Sequence, residues 1–327
     1  YLQSLRQLIT FKATEATKGG TDPVGGHLPR VMELLMGQCD AEEEGVRTMV
    51  AECVGRLALI SPGVVLPKMQ QLIKNENPLT RATAVYALKF TITDNAPMAE
   101  LSGCISDFLS LIKDGEVSVR KATLTSLNSA AHNKPQLIRS VLGSDWLLAS
   151  LYGETVYKKE LVRTVNLGPF QHKVDDGADL RKLAVACMDT LLDKCSDKLD
   201  TSVFLHHLQG RLSDELDDIK QAAYQLLSKL AQREPFCVRE VLDALSEPLQ
   251  TVLNKKTKEN ASPQDVERHS ELQRSAMVTV VVLQKVPDSG TCLKFQGMVD
   301  SIQQDAKLRD LLQAVSTESD ASASMTG

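Results

Sequence analysis

The sequence predicts an all-α fold: an α-solenoid of HEAT-type helical hairpins, an armadillo-like superhelix, with one inserted β-hairpin. Three observations predict it. Hydrophobic residues make up 43% of the 327 residues but aromatic residues only 4%, so aliphatic side chains, which suit packed helices, supply the apolar content. An apolar stripe with helical spacing recurs along the chain, each time after a basic residue. Within residues 158–182, apolar and polar residues instead alternate about a Gly-Pro pair.

Each stripe follows a basic residue, called the anchor here, at offsets of about three, four, seven and ten residues. These offsets place the stripe on one face of a helix. A single helical hairpin cannot bury such a stripe, so neighbouring hairpins must stack. The anchors and their stripes are Arg47 with Val50, Ala51, Val54 and Leu57; Arg81 with Ala84, Val85 and Leu88; Arg120 with Leu124, Leu127 and Ala130; Arg181 with Ala184, Val185, Met188 and Leu191; Lys220 with Ala223, Tyr224, Leu227 and Leu230; and Arg274 with Met277, Val278 and Val281.

The anchors are spaced by 34, 39, 61, 39 and 54 residues. Three intervals approach the roughly 40-residue period of HEAT-type repeats, and each longer interval is interpreted as a repeat plus an insertion. The first insertion is the alternating stretch, and the second is a polar loop over residues 254–269. Acidic residues precede most anchors, where they favour a helix N-terminus and can pair with the basic residue of a neighbouring repeat.

The chain begins at Tyr1, inside an amphipathic pattern, and is interpreted as a fragment of a longer protein. Its last residues contain too little apolar surface to fold. The predicted segments are a partial helix and Gly-rich loop (1–27), HEAT-type repeats (28–157), the inserted β-hairpin (158–177), C-terminal HEAT-type repeats (178–315) and a disordered tail (316–327).

Composition argues against several classes of protein. A net charge of -5 and a pI near 5.8 disfavour nucleic acid as a partner, since binding to phosphates needs a basic face. Seven cysteines without a Cys-x-x-Cys pair indicate reduced thiols and an intracellular protein. No apolar run reaches the roughly 18 residues of a membrane span, and no signal peptide is recognisable.

Candidate catalytic and metal-binding residues have simpler interpretations. Asp175 and Asp176 could form a carboxylate pair, but a polar turn that caps the helix starting near Ala178 suits them better. His206 and His207 are adjacent, so they point about 100° apart on a helix and cannot easily share a metal ion.

Two further catalytic patterns lack support. The Gly-rich stretch 19–26 has no Gly-Lys-Ser/Thr ending and is not a phosphate loop. A Cys187–His172 nucleophile pair has no local motif, and a buried thiol with a surface histidine is the simpler interpretation. The sequence therefore predicts a protein without catalytic residues, metal ligands or cofactors.

The alternating stretch predicts a β-hairpin with a two-residue type II′ turn at Gly168-Pro169, because Gly accepts the positive φ that this turn requires. Pairing across that turn would place alternate residues on a common face. One face would carry Arg163 opposite Val174, Val165 opposite His172 and Leu167 opposite Phe170; the other would carry Thr164, Asn166, Gln171 and Lys173.

Two interpretations of the hairpin remain open. Its apolar face could fold back on the neighbouring helices, since an isolated two-stranded ribbon is marginal in water. Alternatively, it could project as a finger and insert that face into a partner. Burial of Leu167 and Phe170 would then contribute roughly 3–5 kcal/mol.

Four segments resemble the C-terminal third of one family, that of the cullin-associated, neddylation-dissociated (CAND) proteins. The resemblance extends from about residue 28 to about residue 315. The segments are VRTMVAECVGRLALISP, LNSAAHNKPQLIR, KKELVRTVNLGPFQHKVDDGADLRKLAVACMDTLLDKC and ELQRSAM.

The resemblance implies a function. Members of the family are long HEAT solenoids that wrap around an unmodified cullin bound to its RING subunit. Their C-terminal repeats hold the cullin N-terminal domain, and a β-hairpin occupies the surface where substrate-receptor adaptors dock, so that they act as exchange factors for cullin-RING ligases. Residues 161–174 would be that hairpin, and its partner-binding residues would be Arg163, Val165, Leu167, Gly168, Pro169, Phe170, His172 and Val174.

The resemblance also implies a monomer when free, located in the cytoplasm and nucleus. An alternative function is a general HEAT scaffold or transport module, or a module that contacts the TATA-binding protein. In that case the hairpin would be a packing device, and the partner would bind the concave face of the repeats.

Overall fold

Helix follows helix in the computed structural model, which describes residues 1–16, 25–167, 170–257 and 261–325. The chain divides into an N-terminal unit, Tyr1–Leu199, and a C-terminal unit, Asp200–Gly327. The N-terminal unit contains α1 (Leu2–Ala16), α2 (Leu28–Met36), α3 (Glu44–Ile60), α4 (Pro62–Leu72), α5 (Pro78–Thr91), α6 (Met98–Leu109), α7 (Val117–Asn133), α8 (Pro135–Leu142), α9 (Asp145–Glu154), β1 (Val162–Leu167), β2 (Phe170–Asp175) and α10 (Ala178–Cys195). The C-terminal unit contains α11 (Thr201–Gln209), α12 (Asp217–Arg233), α13 (Pro235–Glu240), α14 (Leu242–Asn254), α15 (Pro263–Gln284), α16 (Leu293–Gln304) and α17 (Ala306–Met325).

The helices of each unit stack in two rows. In the N-terminal unit, α1, α3, α5, α7 and α10 pack one against the next, and α4, α6 and α8 form a second row. In the C-terminal unit, α12, α15 and α17 form one row, and α14 packs on α16 in the other. The fold is therefore an α-solenoid of helical hairpins with one two-stranded antiparallel sheet, as the sequence predicts.

The predicted stripes are buried with one exception. Every residue of the first five stripes is at most 2% exposed. In the sixth stripe, Met277 and Val281 are buried, but the prediction for Val278 is wrong, since it is 41% exposed. The stripe of α15 lies one residue earlier than predicted: Ala276, Met277 and Val280 are buried at offsets of three, four and seven from Gln273, which is itself buried. The first five anchors are each the fourth residue of a helix, whereas α15 begins at Pro263, well before Arg274.

Three of the anchors make the same backbone contacts, which we call the arginine clasp. One guanidinium nitrogen, Nη1, donates hydrogen bonds to the carbonyl oxygens of the residues six and five positions earlier. The clasp therefore ties the first turn of the helix to the loop before it. The contacts are Arg47 to Ala41 and Glu42 at 2.6 and 2.7 Å, Arg81 to Asn75 and Glu76 at 2.9 Å each, and Arg120 to Asp114 and Gly115 at 2.8 and 2.9 Å.

Arg81 also joins two repeats. Its Nε and Nη2 donate to the two carboxylate oxygens of Asp114 at 2.8 and 2.9 Å, in the bidentate geometry that arginine favours. Burial works against ionisation of Asp114, but hydrogen bonds from Arg81 and from the Glu116 amide outweigh it and hold the pKa of Asp114 below its ordinary value. This pair confirms that an acid before one anchor can bind the anchor of a neighbouring repeat.

The polar loop predicted at 254–269 is shorter than expected. Ser262 caps α15, accepting a hydrogen bond from the Asp265 amide at 3.2 Å, and Pro263 occupies the first turn, where its missing N–H costs nothing. Capping chemistry thus starts a helix inside a segment that has little apolar content.

The disordered tail predicted from residue 316 is also corrected, because α17 continues to Met325. Polar contacts with α15 accompany this continuation: Arg274 pairs with Glu318, and Lys285 Nζ donates to Ser319 Oγ at 3.3 Å. At the other end, most of the predicted Gly-rich loop lies outside the described residues, since residues 17–24 are not among them.

Candidate functional site

The predicted hairpin is a ribbon of two six-residue strands between α9 and α10. Its register is the predicted one, with Leu167 opposite Phe170, Val165 opposite His172 and Arg163 opposite Val174. The predicted type II′ turn falls on Gly168 and Pro169, which lie outside the described residues.

The two faces of the ribbon differ in polarity. On the first face, Val165 and Val174 are half-buried, and Arg163 and His172 are exposed. The side chains of Leu167 and Phe170, predicted for the same face, lie outside the described part of the chain. The second face carries four exposed polar side chains: Thr164, Asn166, Gln171 and Lys173.

Within the described residues, the two strands pack extensively only on each other. No helix packs on the described strands to a comparable extent, and most of the ribbon side chains that the structure describes are exposed. The sequence left the choice between a packed and a projecting hairpin open, and the contacts favour projection.

Several hydrogen bonds join the two strands where they meet the helices, a region we call the hairpin base. The Asp176 amide donates to the Leu161 carbonyl at 3.0 Å, and Arg163 Nε donates to the Asp176 carboxylate at 2.6 Å. Asp175 Oδ1 accepts from the Gly177 amide at 2.9 Å. Gly177 is packed tightly, since a Cβ at this position would lie 3.0 Å from Leu161 Cδ1.

Arg181 lies under the hairpin base and is only 1% exposed. Its Nη1 donates to Asp175 Oδ2 at 2.8 Å, and its guanidinium carbon lies over the Tyr157 ring, 5.3 Å from the ring centroid. The prediction of a polar turn that caps α10 holds only in part. Asp176 and Gly177 form the turn, whereas Asp175 is the last residue of β2 and accepts from the Gly177 amide. The N-cap of α10 is Gly177 itself, which has no side chain to cap the helix.

Sequence reasoning treated Arg181 only as an anchor and missed its contact with the hairpin. The signal was present, because Asp175 precedes Arg181 by six residues just as Asp114 precedes Arg120. In both cases the arginine reaches back to the residue six positions earlier. At Arg120 it binds the backbone carbonyl, whereas at Arg181 it binds the carboxylate.

A second charged cluster holds the segment that enters the hairpin. Glu154, at the end of α9, is 6% exposed and lies between two cations. Its Oε1 is 3.2 Å from Arg120 Nε and 2.6 Å from Lys158 Nζ. Since a buried carboxylate is costly unless paired, this cluster fixes the path of the chain from α9 towards β1.

A groove of about 1020 Å³ opens beside the hairpin base, along α3, α5, α7 and α10. Acidic and basic side chains alternate on its walls, and the ion pair of Lys121 with Asp179 (2.7 Å) links α7 to α10 there. Arg163 and Asp176 of the hairpin base also line it. A partner that fills the groove would therefore touch the root of the ribbon.

The remaining chemical candidates have structural roles. Burial raises the pKa of the Cys187 thiol to about 12, and its Sγ donates to the Leu124 carbonyl at 3.3 Å, while His172 is exposed on the ribbon. The rings of His206 and His207 make an edge contact at 5.5 Å. In the described ranges, no group of three or more His, Cys, Asp or Glu residues is arranged to hold a metal ion.

None of the helices in the described part of the chain combines the length and the apolar content that crossing a membrane would require.

The stacked hairpins and the projecting ribbon define the class of protein: a HEAT-type α-solenoid with one β-ribbon inserted between repeats. The family model described as "TIP120: TATA-binding protein interacting (TIP20)" matches residues 137–314, more than half of the chain. The chain belongs to this family, that of the cullin-associated NEDD8-dissociated proteins.

Relatives from distant organisms are similar over nearly the whole chain. "Cullin-associated NEDD8-dissociated protein 1" of Dictyostelium discoideum is 40% identical over 300 residues, covering 91% of this chain and 24% of the relative. "Cullin-associated NEDD8-dissociated protein 2" of Rattus norvegicus is 35% identical over 327 residues, covering 99% of this chain and 26% of the relative. The chain thus spans about a quarter of the length of these relatives.

Solved structures show the same fold at low identity. Yeast importin-beta (Kap95p) superposes with a TM-score of 0.61 at 12% identity, covering 96% of this chain and 38% of Kap95p. Kap121p, solved bound to RanGTP, superposes with a TM-score of 0.59 at 15% identity, covering 96% of this chain and 29% of Kap121p. These likenesses support the solenoid fold alone.

Proposed function

We propose that this chain is a non-catalytic cullin-binding solenoid, part of a substrate-receptor exchange factor for cullin-RING (SCF-type) ubiquitin ligases. Its partner is the N-terminal domain of a cullin within a cullin-RING complex. The relatives that match nearly the whole chain are named as cullin-associated proteins, which supports the choice of partner. The chain acts as a monomer, in the cytoplasm and nucleus.

The observation that carries the proposal is a ribbon that is fixed at its base and whose described side chains are mostly exposed. Ion pairs and backbone hydrogen bonds fix the hairpin base, whereas the described strands pack extensively only on each other. One face of the ribbon is wholly polar, and the other includes two half-buried valines, Val165 and Val174. The face that carries Val165 and Val174, called the first face above, is the one we assign to the partner.

The ribbon competes with the substrate-receptor adaptor for one surface of the cullin. Two ligands that overlap weaken each other's binding by the same factor, so adaptor and solenoid each lower the apparent affinity of the other. Exchange of receptors follows, because the solenoid loosens the bound adaptor and is itself removed when another adaptor binds. No cofactor takes part.

The test is capture of a cullin-RING complex by this chain, with and without saturating adaptor. The informative variant is Val165→Asp, and its matched control is Asn166→Asp. The two substitutions add the same charge to neighbouring residues on opposite faces of β1. We expect Val165→Asp to bind cullin without displacing adaptor, and Asn166→Asp to displace it as the unchanged chain does. A Leu167→Ser/Phe170→Ser variant should behave as Val165→Asp does.

Two results would contradict the proposal. Equal displacement by the Val165→Asp and Asn166→Asp variants would show that the ribbon is not the competing element. Absence of cullin capture by the unchanged chain would remove the cullin as a partner of these repeats.

A second candidate is an interaction with the TATA-binding protein, favoured by the description of the matching family model. A solenoid of general scaffold or transport type would bind such a partner in the groove along α3, α5, α7 and α10. Capture of the TATA-binding protein would then be lost on changing groove residues such as Lys121, and would be unaffected by Val165→Asp.

A further inference from the structure

The charged side chain of Arg181 is buried, which is unusual for arginine. Arginine is seldom fully buried unless it is paired, and Arg181 is 1% exposed. Its charge is met by the Asp175 carboxylate at 2.8 Å, and its guanidinium carbon lies over the Tyr157 ring, 5.3 Å from the ring centroid. The phenol ring adds a cation–π contact, which strengthens when the cation is shielded from water.

These contacts join three separate parts of the chain. Arg181 belongs to the first turn of α10, Asp175 is the last residue of β2, and Tyr157 lies in the segment between α9 and β1. The helix, the exit of the ribbon and its entry are therefore held at one point. Because α10 packs on α7 in the row of helices, that point is fixed relative to the N-terminal unit.

Further contacts restrain both strands at the hairpin base. The Asp176 amide bonds to the Leu161 carbonyl, and the Asp176 carboxylate pairs with Arg163 on β1. On the entry side, Glu154 holds Lys158 and Arg120. A ribbon held at a single point could swing, whereas one restrained on both strands has a fixed direction.

We infer that Arg181 is a positioning residue that sets the direction of the ribbon before any partner binds. The ribbon then meets its partner as a preformed wedge. A preformed element loses little conformational entropy on binding, which favours the affinity of the complex. This inference deepens the proposed function and rests on it for the identity of the partner, but the state of the free ribbon can be measured without a partner.

The first measurement is amide hydrogen exchange of the free chain. Asp175→Asn keeps an oxygen that can accept from the Gly177 amide while it removes the charge that faces Arg181, and Arg181→Gln removes the other member of the pair. In both variants we expect the amides of β1 and β2 to exchange at least about tenfold faster. The amides of α5 and α7 should keep their protection. Tyr157→Leu, at a residue that is 40% exposed, should give a smaller increase at the same amides.

The matched control is Arg139→Gln. It removes the ion pair of Arg139 with Asp197 and the hydrogen bond to the Lys194 carbonyl, contacts that join α8 to the C-terminal end of α10, away from the hairpin base. Exchange in β1 and β2 should be the same in this variant as in the unchanged chain. A general loosening of α10 would raise exchange in the control as well, so the control separates positioning from simple loss of stability.

The second measurement separates capture from displacement. Asp175→Asn should capture cullin with nearly unchanged affinity, and should need about tenfold more chain to displace the same fraction of adaptor. The Arg139→Gln control should displace adaptor as the unchanged chain does.

Unchanged ribbon exchange in Asp175→Asn and Tyr157→Leu would overturn the inference, and these two variants decide the question if Arg181→Gln does not fold. If the unchanged chain fails to capture cullin, the proposed function fails, while the exchange data still decide the role of Arg181. If amide exchange of the ribbon rises but displacement of adaptor does not change, Arg181 orders the ribbon without affecting its competition with adaptor, and the inference also fails.

Discussion

The absence of a side chain at Gly55 allows α3 and α5 to approach closely. A Cβ on Gly55 would collide with the Ala87 carbonyl oxygen and would lie 2.8 Å from Phe90 Cβ. At this contact Thr91 Oγ1 also donates to the Gly55 carbonyl at 3.1 Å. Backbone lies on both sides of the contact, so no side chain can move to make room.

We therefore expect Gly55→Ala to lower the free energy of unfolding by about 1–3 kcal/mol, as overpacking does elsewhere. Gly103, exposed within α6, is the matched control, because a Cβ there meets nothing within 4 Å. Gly103→Ala should raise stability by about 0.5–1 kcal/mol through helix propensity alone. Urea denaturation of both variants checks the prediction, and equal effects of the two substitutions would contradict it.

At the scale of elements, ion pairs link one repeat to the next. The arginine clasp holds the starts of α3, α5 and α7 to the loops before them, and Arg81 additionally reaches Asp114 in the following repeat. Both side chains are largely buried, at 17% and 11% exposure. A pair in that environment is costly to break from one side, since the remaining charge loses its partner.

A double-mutant cycle of Arg81→Gln and Asp114→Asn tests this link. Each single variant should lose about 1–3 kcal/mol of unfolding free energy, and the coupling energy should be about 1–3 kcal/mol. The exposed pair of Arg139 with Asp197 is the control, and its loss should matter far less. A coupling energy near zero at Arg81 and Asp114 would show that the pair does not join the repeats.

Elements with a strong periodic pattern could be predicted from the sequence. Five stripes are buried as expected, and the strand register is the expected one, because burial and pairing both follow directly from residue spacing. The start of α15 and the extent of α17 could not be predicted, since Ser262 capping and the pairing of Arg274 with Glu318 act where apolar residues are sparse.

The candidate site was only partly predictable. The alternating residues give the two faces of the ribbon, but they do not show whether the ribbon packs or projects. That outcome depends on the burial of Arg181, and on contacts it makes with residues from both ends of the insertion. The six-residue interval between Asp175 and Arg181 can be read from the sequence, but the contact of the Arg181 guanidinium with the Tyr157 ring cannot.

At the scale of the molecule, the two units differ in their buried thiols. Desolvation raises the pKa of Cys39 and Cys187 to about 12, and that of Cys53 and Cys104 to about 11. All four thiols lie in the N-terminal unit. An unfolded thiol ionises near its ordinary value of 9.0, whereas the folded ones keep their protons to higher pH.

The N-terminal unit should therefore lose stability as pH rises from about 9 towards 11. Above pH 9 the unfolded state binds fewer protons than the folded state, so the free energy of unfolding falls with pH, by at most about 1.4 kcal/mol per pH unit for each thiol. Thermal unfolding at pH 8, 9 and 10 measures the slope. Cys187→Ala should make it shallower, and Cys237→Ala, in the C-terminal unit, should leave it unchanged. The same slope in all three chains would contradict the assignment.

The hydrogen bond from the Asp176 amide to the Leu161 carbonyl brings the two ends of the insertion together. The whole segment between these two residues is therefore attached to the stacked helices at one place. The ribbon can in this sense be exchanged as a unit. Asp175 must remain, because it pairs with the buried Arg181 of α10. The rest of the ribbon can change in length and sequence by mutation or by grafting while the helices beneath keep their packing, so recognition can diversify on a scaffold that stays the same.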